Sequence, residues 1–184
     1  KYGVRNQYGE LDEQKLREIA SLPQVKMLEI KLSQGAKPGK GGILPAVKVT
    51  EEIAQIRGIK IGEDSISPNG HEDIRSIDDL LDRLAQVRAI SGKPTGFKTV
   101  LGGIDWIEDL CRAIHERGIE SAPDFITLDG AEGGTGAAPQ ALMDYMGLPI
   151  TQALPMLVDC LDRFNLRPRI KVIVSGKLIT PDRV

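Results

Sequence analysis

The sequence predicts a parallel α/β fold of the (β/α)8 TIM-barrel type, and three observations lead there. Helical and strand patterns alternate along the chain, the strands near positions 26, 97, 125 and 171 are short and largely apolar, and three unusually rich loops each follow the C-terminal end of a strand. Strands separated by helices are expected to run parallel with right-handed crossovers, and near-continuous apolar runs are typical of strands buried in parallel sheets. Alternation by itself suits an open doubly wound sheet as well as a closed barrel. The loops at 33–45, 129–139 and 175–177 favour the barrel. In a barrel every strand end converges on one face, whereas in an open sheet only the loops near a switch point meet.

The elements follow in order. Leu11, Leu16, Ile19 and Ala20 recur at helical spacing across Asp12 to Leu22, and Pro23 ends that helix. Lys26 to Leu32 alternates apolar and charged residues as a strand does, then opens into Ser33 to Pro45, a loop with Gly35, Gly39, Gly41 and Gly42 between Pro38 and Pro45. Thr50 caps a short helix to Gln55, and Asp64 to Pro68 forms a short strand. Ile77, Leu80, Leu81, Leu84, Val87 and Ile90 make a clear helical stripe, capped by Ser76, helped by Asp78 and Asp79 in its first turn and closed by Gly92. A strand at Gly96 to Leu101, a helix from Trp106 to Arg117 stopped by Gly118, and a strand at Asp124 to Asp129 repeat the unit. Helical pieces within Leu142 to Asn165 precede a last strand, Ile170 to Ser175.

Composition narrows the function classes. With 184 residues, 41% of them hydrophobic, the chain can bury one ordinary core. Its 24 basic and 26 acidic side chains leave a net charge of −2, so neither nucleic acid nor an acidic membrane surface is an expected partner. Cys111 and Cys160 are isolated, with no CxxC pair and no histidine at ligand spacing, which argues against zinc, iron–sulfur ligation or a disulfide framework. No apolar run approaches the roughly 18 residues that span a bilayer. A soluble, cytoplasmic protein is expected. Because the chain opens on Lys1, it is expected to be cut from something longer.

Several residues could carry chemistry. Lys31 ends a strand and Gln34, Lys37 and Lys40 follow in the glycine-rich loop, an arrangement suited to a dicarboxylate or phosphate; the alternative is a solvated loop. Lys98 stands within an otherwise uncharged strand, where it either faces a polar cavity or pairs with a carboxylate such as Asp129. Asp129 opens LDGAEGGTGAAP, which is neither a GxxxxGK[ST] nor a GxGxxG loop, so its backbone must approach something flat or turn tightly. Ser175, Gly176 and Lys177 follow the last strand, where barrel enzymes commonly hold phosphate. His71 and His115 have no evident partner.

The segments EIKLSQGAKPGKGGILP (Glu29 to Pro45), SPNGHEDIRSIDDL (Ser67 to Leu80), FKTVLGG (Phe97 to Gly103), FITLDGAEGGTGAAP (Phe125 to Pro139) and VIVSGK (Val172 to Lys177) resemble, in order and spacing, the FMN-binding synthase domain of the glutamate synthase family. They are most similar to its stand-alone, glutamate synthase-related members. The resemblance implies an incomplete barrel, lacking the family's first two strands and its last, with residues 1–184 as one partial domain. It implies an FMN-dependent oxidoreductase reducing the imine of 2-oxoglutarate and ammonia to glutamate. Lys31, Gln34 and Lys37 fall on the oxo-acid region, Lys31 and Lys98 on catalytic positions, and Lys98 beside the flavin. Asp129, Gly130, Gly133, Gly134 and Thr135 match the loop next to FMN, and Ser175 and Gly176 the first phosphate loop. The glutaminase domain and the iron–sulfur cysteines are absent from this sequence, which implies separate ammonia and electron donors. Open sheet edges would favour a homo-oligomer. The rival readings are a non-catalytic binding or assembly module and another FMN-barrel oxidoreductase.

Overall fold

A computed structural model describes residues 4–6, 8–132 and 138–180. The chain opens with helix α1 (Glu13–Ser21), whose first turn is capped by the Asp12 carboxylate accepting from Lys15 N at 3.0 Å. Strand β1 (Leu28–Lys31) follows. A short ribbon pairs β2 (Ile43–Leu44) antiparallel to β3 (Ser65–Ile66), with helix α2 (Glu51–Arg57) between them, capped by Thr50 as its sequence predicts. β2 lies in a stretch that reads as pure loop. It forms because Gly41 lies so close to the later segment that a Cβ there would stand 1.9 Å from the Ser67 carbonyl oxygen, an approach open only to glycine.

The repeating units come next: α3 (Ile77–Ser91), β4 (Thr95–Thr99), α4 (Asp105–Arg117), β5 (Phe125–Asp129), α5 (Gln140–Tyr145), α6 (Ile150–Arg163) and β6 (Lys171–Ser175). Ser76 caps α3 and Gly92 ends it in the left-handed region, φ 65°. The helical pieces expected within Leu142 to Asn165 are two helices, the first starting at Gln140. Between them Gly147 is wedged under neighbouring loops, where a Cβ would meet Val100 Cγ2 at 2.8 Å, and Pro149 starts α6.

β1, β4, β5 and β6 form one parallel sheet in that order, as expected from the alternation. Each strand is added beside the previous one, with none of the reversal that defines a doubly wound sheet. The sheet does not close among the described residues; β1 and β6 are its two edges.

Successive strand side chains point to opposite faces. Ile30, Phe97, Ile126 and Val172 share one register row, and with Leu128 and Val174 they pack against Leu81 and Leu84 of α3, Ile107, Leu110 and Ile114 of α4, and Leu157 and Leu161 of α6. All three long helices therefore cover the same face. The opposite face holds the row Lys31, Lys98, Thr127 and Ile173, and Ile173 is 39% exposed. The two cysteines lie in the core of the helical layer, α4 against α6, as free thiols, and burial pushes the Cys111 thiol up to about 12, with Cys160 beside it adding to the rise.

Candidate functional site

The rich loops meet at the C-terminal end of the sheet, as their positions after strands require. Lys31 and Lys98 are direct register neighbours on the face opposite α3, α4 and α6. The Lys31 ammonium donates to Gln34 Oε1, and Lys37 is drawn inward until it is 8% exposed. None of the three lysines forms an ion pair with a described carboxylate. Burial lowers the pKa of Lys31, and the charges of Lys98 and Lys37 push it further down. The charges of Asp129 and Glu29 act the other way without offsetting this, and a bound carboxylate would relieve the remaining repulsion. Lys31, Gln34, Lys37 and Lys40 line a cavity of about 920 Å³ beside β1. Lys98 is not part of that lining.

Asp129 is not the partner of Lys98. One of its oxygens accepts from Gly35 N at 2.6 Å and the other from Ser175 Oγ at 2.7 Å, so a single carboxylate ties the loops after β1, β5 and β6 together. Gly130 N donates to the Ser175 carbonyl at 2.8 Å. A Cβ at Gly35 would lie 1.8 Å from the Gly130 oxygen, and one at Gly176 (φ 123°) 3.1 Å from Gly130 N. The close approach inferred for this glycine-rich segment is thus, at Gly35, Gly130 and Gly176, an approach of loop to loop. Gly133, Gly134 and Thr135 lie outside the described residues.

Four features escape sequence reading. Ser33 Oγ accepts from Val100 N at 3.0 Å, which binds the start of the glycine-rich loop to the end of β4. The Glu132 carboxylate accepts from Ile150 N at 2.9 and 3.0 Å and caps α6, whose Pro149 offers no side-chain cap. Thr127, 6% exposed beside Lys98 in the register, has a buried hydroxyl with no partner among the described residues. The expectation for the two histidines is corrected: His71 bonds Arg5 and the Lys31 carbonyl, and His115 Nε2 bonds the Phe164 carbonyl at 2.8 Å. In each case the partner is distant in sequence, so no local pattern announces it. Among the described residues no group of three or more His, Cys, Asp or Glu could hold a metal ion, and no helix is long and apolar enough to cross a membrane.

The family described as "Conserved region in glutamate synthase" matches residues 2–184. The chain belongs to the glutamate synthase family. The glutamate synthase large subunit-like protein YerD of Bacillus subtilis is 39% identical over the full chain, which spans 34% of that protein. An archaeal glutamate synthase [NADPH] of Methanocaldococcus jannaschii is 42% identical over 81% of the chain and 28% of its own length. The glutamate synthase [NADPH] large chain of Azospirillum brasilense is 39% identical over 86% of the chain and 10% of its own length. The chain thus spans about a third or less of the glutamate synthases it matches.

Proposed function

We propose that this chain is the oxo-acid-binding part of an FMN-dependent oxidoreductase that reduces the imine of 2-oxoglutarate and ammonia to glutamate. The observation that carries the reading is the cluster of Lys31, Lys37 and Lys98 without ion-pair partners, at the strand ends where the sheet's loops converge. A dicarboxylate offers the charge such a cluster lacks. The names of the relatives, glutamate synthases using NADPH, supply the substrate class. We further propose that the four strands are consecutive strands of a single partial (β/α)8 barrel domain. Their sequential order and the helices on one face support this, since a barrel puts all its helices outside.

The residues on the face opposite α3, α4 and α6 suit a flavin. Thr127 presents an orphan hydroxyl next to Lys98, a donor beside a cation, which matches a ring that becomes anionic on reduction. Lys98, with Ser175 and Gly176 at the neighbouring loop, would hold FMN together with Gly130, Gly133, Gly134 and Thr135; Asp129 acts as the tie that sets the loop spacing. When bound and reduced by a separate electron donor, the flavin would supply the hydride for the imine carbon. Lys31 and Lys37 bind and orient the carboxylates of the oxo acid, and Gln34 fixes the Lys31 ammonium by accepting its hydrogen bond. Substrate enters from the cavity beside β1.

Calorimetric titration of the chain with 2-oxoglutarate, and fluorescence titration with FMN, test the reading. Lys31→Ala should weaken 2-oxoglutarate binding roughly tenfold or more, the loss of one charge-assisted hydrogen bond, and leave FMN binding unchanged. Equal loss of both ligands would sink the assignment of Lys31.

A further inference from the structure

One side chain beside this site is bonded through both ring nitrogens and has no part in the binding scheme above. His71, in the loop between β3 and α3, accepts at Nδ1 from Arg5 Nη2 at 2.8 Å and meets the Lys31 carbonyl through Nε2 at 2.9 Å. A guanidinium can only donate. Nδ1 is therefore unprotonated, and the ring proton sits on Nε2, where it donates to the carbonyl. Lys31 ends an outer strand, and its carbonyl takes this bond from outside the sheet. Arg5 is held in turn. Its Nη1 lies 2.6 Å and its Nη2 3.2 Å from the two oxygens of Asp73, and Arg83 of α3 grips the same carboxylate at 2.6 Å. The Arg5 side chain is only 12% exposed.

We propose that His71 is the positioning residue for Lys31: its Nε2–H fixes the carbonyl of the residue whose ammonium receives the oxo acid, and the Arg5–Asp73–Arg83 clamp fixes the imidazole. The proposal rests on the reading that Lys31 meets the oxo acid. It adds a proton-sensitive control to that site, because a second proton on the ring would set Nδ1–H against the Arg5 guanidinium and release the ring from the clamp. The charged groups around the ring are Arg5 from the N-terminal segment, Asp73 from its own loop, Arg83 reached through Asp73, and Lys31 on β1. Burial lowers the His71 pKa and Arg5 adds to this, while the Lys31 carbonyl and Asp73 act in the opposite direction. The neutral ring is thus the folded form. Its contribution is complete above the ordinary histidine value near 6.5 and is lost as pH falls through the lowered one.

The experiment is 2-oxoglutarate binding by the full chain, measured calorimetrically from pH 8 to pH 5 for the unaltered protein, His71→Ala and His71→Gln. Glutamine can still donate to the carbonyl and accept from Arg5, but it does not titrate. His71→Ala should bind about tenfold more weakly at pH 7.5, the loss of one buried hydrogen bond. His71→Gln should recover most of that affinity and remain flat below pH 6.5, where the unaltered protein declines. Nitrogen-15 spectra of the ring should show the proton on Nε2, and the Lys31 and Leu32 amides should shift as His71 titrates and stay still in His71→Gln. Unchanged binding in His71→Ala, an acid decline that survives in His71→Gln, or a proton on Nδ1 would each overturn the proposal. If the unaltered chain binds no 2-oxoglutarate, the reading of Lys31 as its receptor fails; the ring and amide spectra then decide the positioning claim independently.

Discussion

The helix-covered core and the segment between β1 and α3 are built by different forces. From α3 to β6 the structure is held by apolar contact: Phe97, Ile126 and Leu128 are fully buried between the strands and three helices. Residues 33–75 contribute little to that cluster. Beyond a few small buried residues, Ala36, Val49 and Ala54, and the β2–β3 pair, they are held by polar contacts such as the Asp64 carboxylate accepting from Ala46 N at 2.7 Å, Asn69 accepting from Gly41 N at 3.2 Å, and the Arg5–Asp73–Arg83 clamp. Ile43, Val47, Ile56 and Ile61 are left exposed there. The candidate site sits on the seam, with Lys98 and Ser175 on core strands and Gln34 and Lys37 in the polar segment. At this site the sheet supplies apolar support and the 33–75 segment supplies most of the polar contacts.

The most forceful way to break this comparison is to cut the core. Phe97→Ala should cost about 3–5 kcal/mol in urea unfolding, the usual penalty for emptying a buried aromatic site, while Ile61→Ala, at a position 62% exposed, should cost less than about 0.5 kcal/mol. Equal effects would mean that the two regions are not built differently.

The seam is next. Gly35→Ala drives a Cβ into the Gly130 oxygen, backbone against backbone, so the loops after β1 and β5 must part. Destabilisation of about 1–3 kcal/mol is expected, together with loss of 2-oxoglutarate binding. Stability and binding that both survive would show that the seam flexes freely.

Asp124 sharpens the core side. Burial pushes its carboxyl up, but the Thr95 N–H and the Arg88 and Arg169 guanidiniums outweigh this and hold it below the usual carboxylate range. A depressed carboxyl stabilises the fold above its unfolded value near 3.8 and loses that contribution as pH falls through the folded value. Asp124→Asn should therefore cost about 1–3 kcal/mol at pH 7 and much less near pH 2. A cost independent of pH would exclude the charge as its source.

The smallest effect is the most diagnostic for the site. Thr127→Val removes a buried hydroxyl that bonds to nothing described, so the ligand-free chain should unfold at the same urea concentration or slightly higher. FMN affinity should fall. Loss of stability without loss of affinity would place the hydroxyl in the fold rather than in the site.

Much of this was legible in residue order. The caps Asp12, Thr50 and Ser76, the stop at Gly92 and the four parallel strands follow from local propensity and periodicity, which need only near neighbours. The place of the break between α5 and α6 was less so, because Gly147 packs there against Val100, Ala131 and Gly35, all more than ten residues away in sequence. For the site, the positions of Lys31, Gln34 and Lys37 after one strand and of Asp129 and Ser175 after two others were visible as places of unusual residues, but their pairings were not.

Residue order alone carries every helix and strand but β2, the parallel sense of the main sheet and the strand ends where chemistry collects, because these depend on side-chain period and turn residues within a few positions. Only the tertiary structure decided that Lys31 stands beside Lys98, that Asp129 bridges Gly35 and Ser175 instead of pairing with a lysine, and that His71 is held between Arg5 and the Lys31 carbonyl. Those contacts join residues 40 to 94 positions apart. The register of the sheet and the close packing of its loops select them from among many partners of equal chemistry, and neither is written in any short stretch of chain.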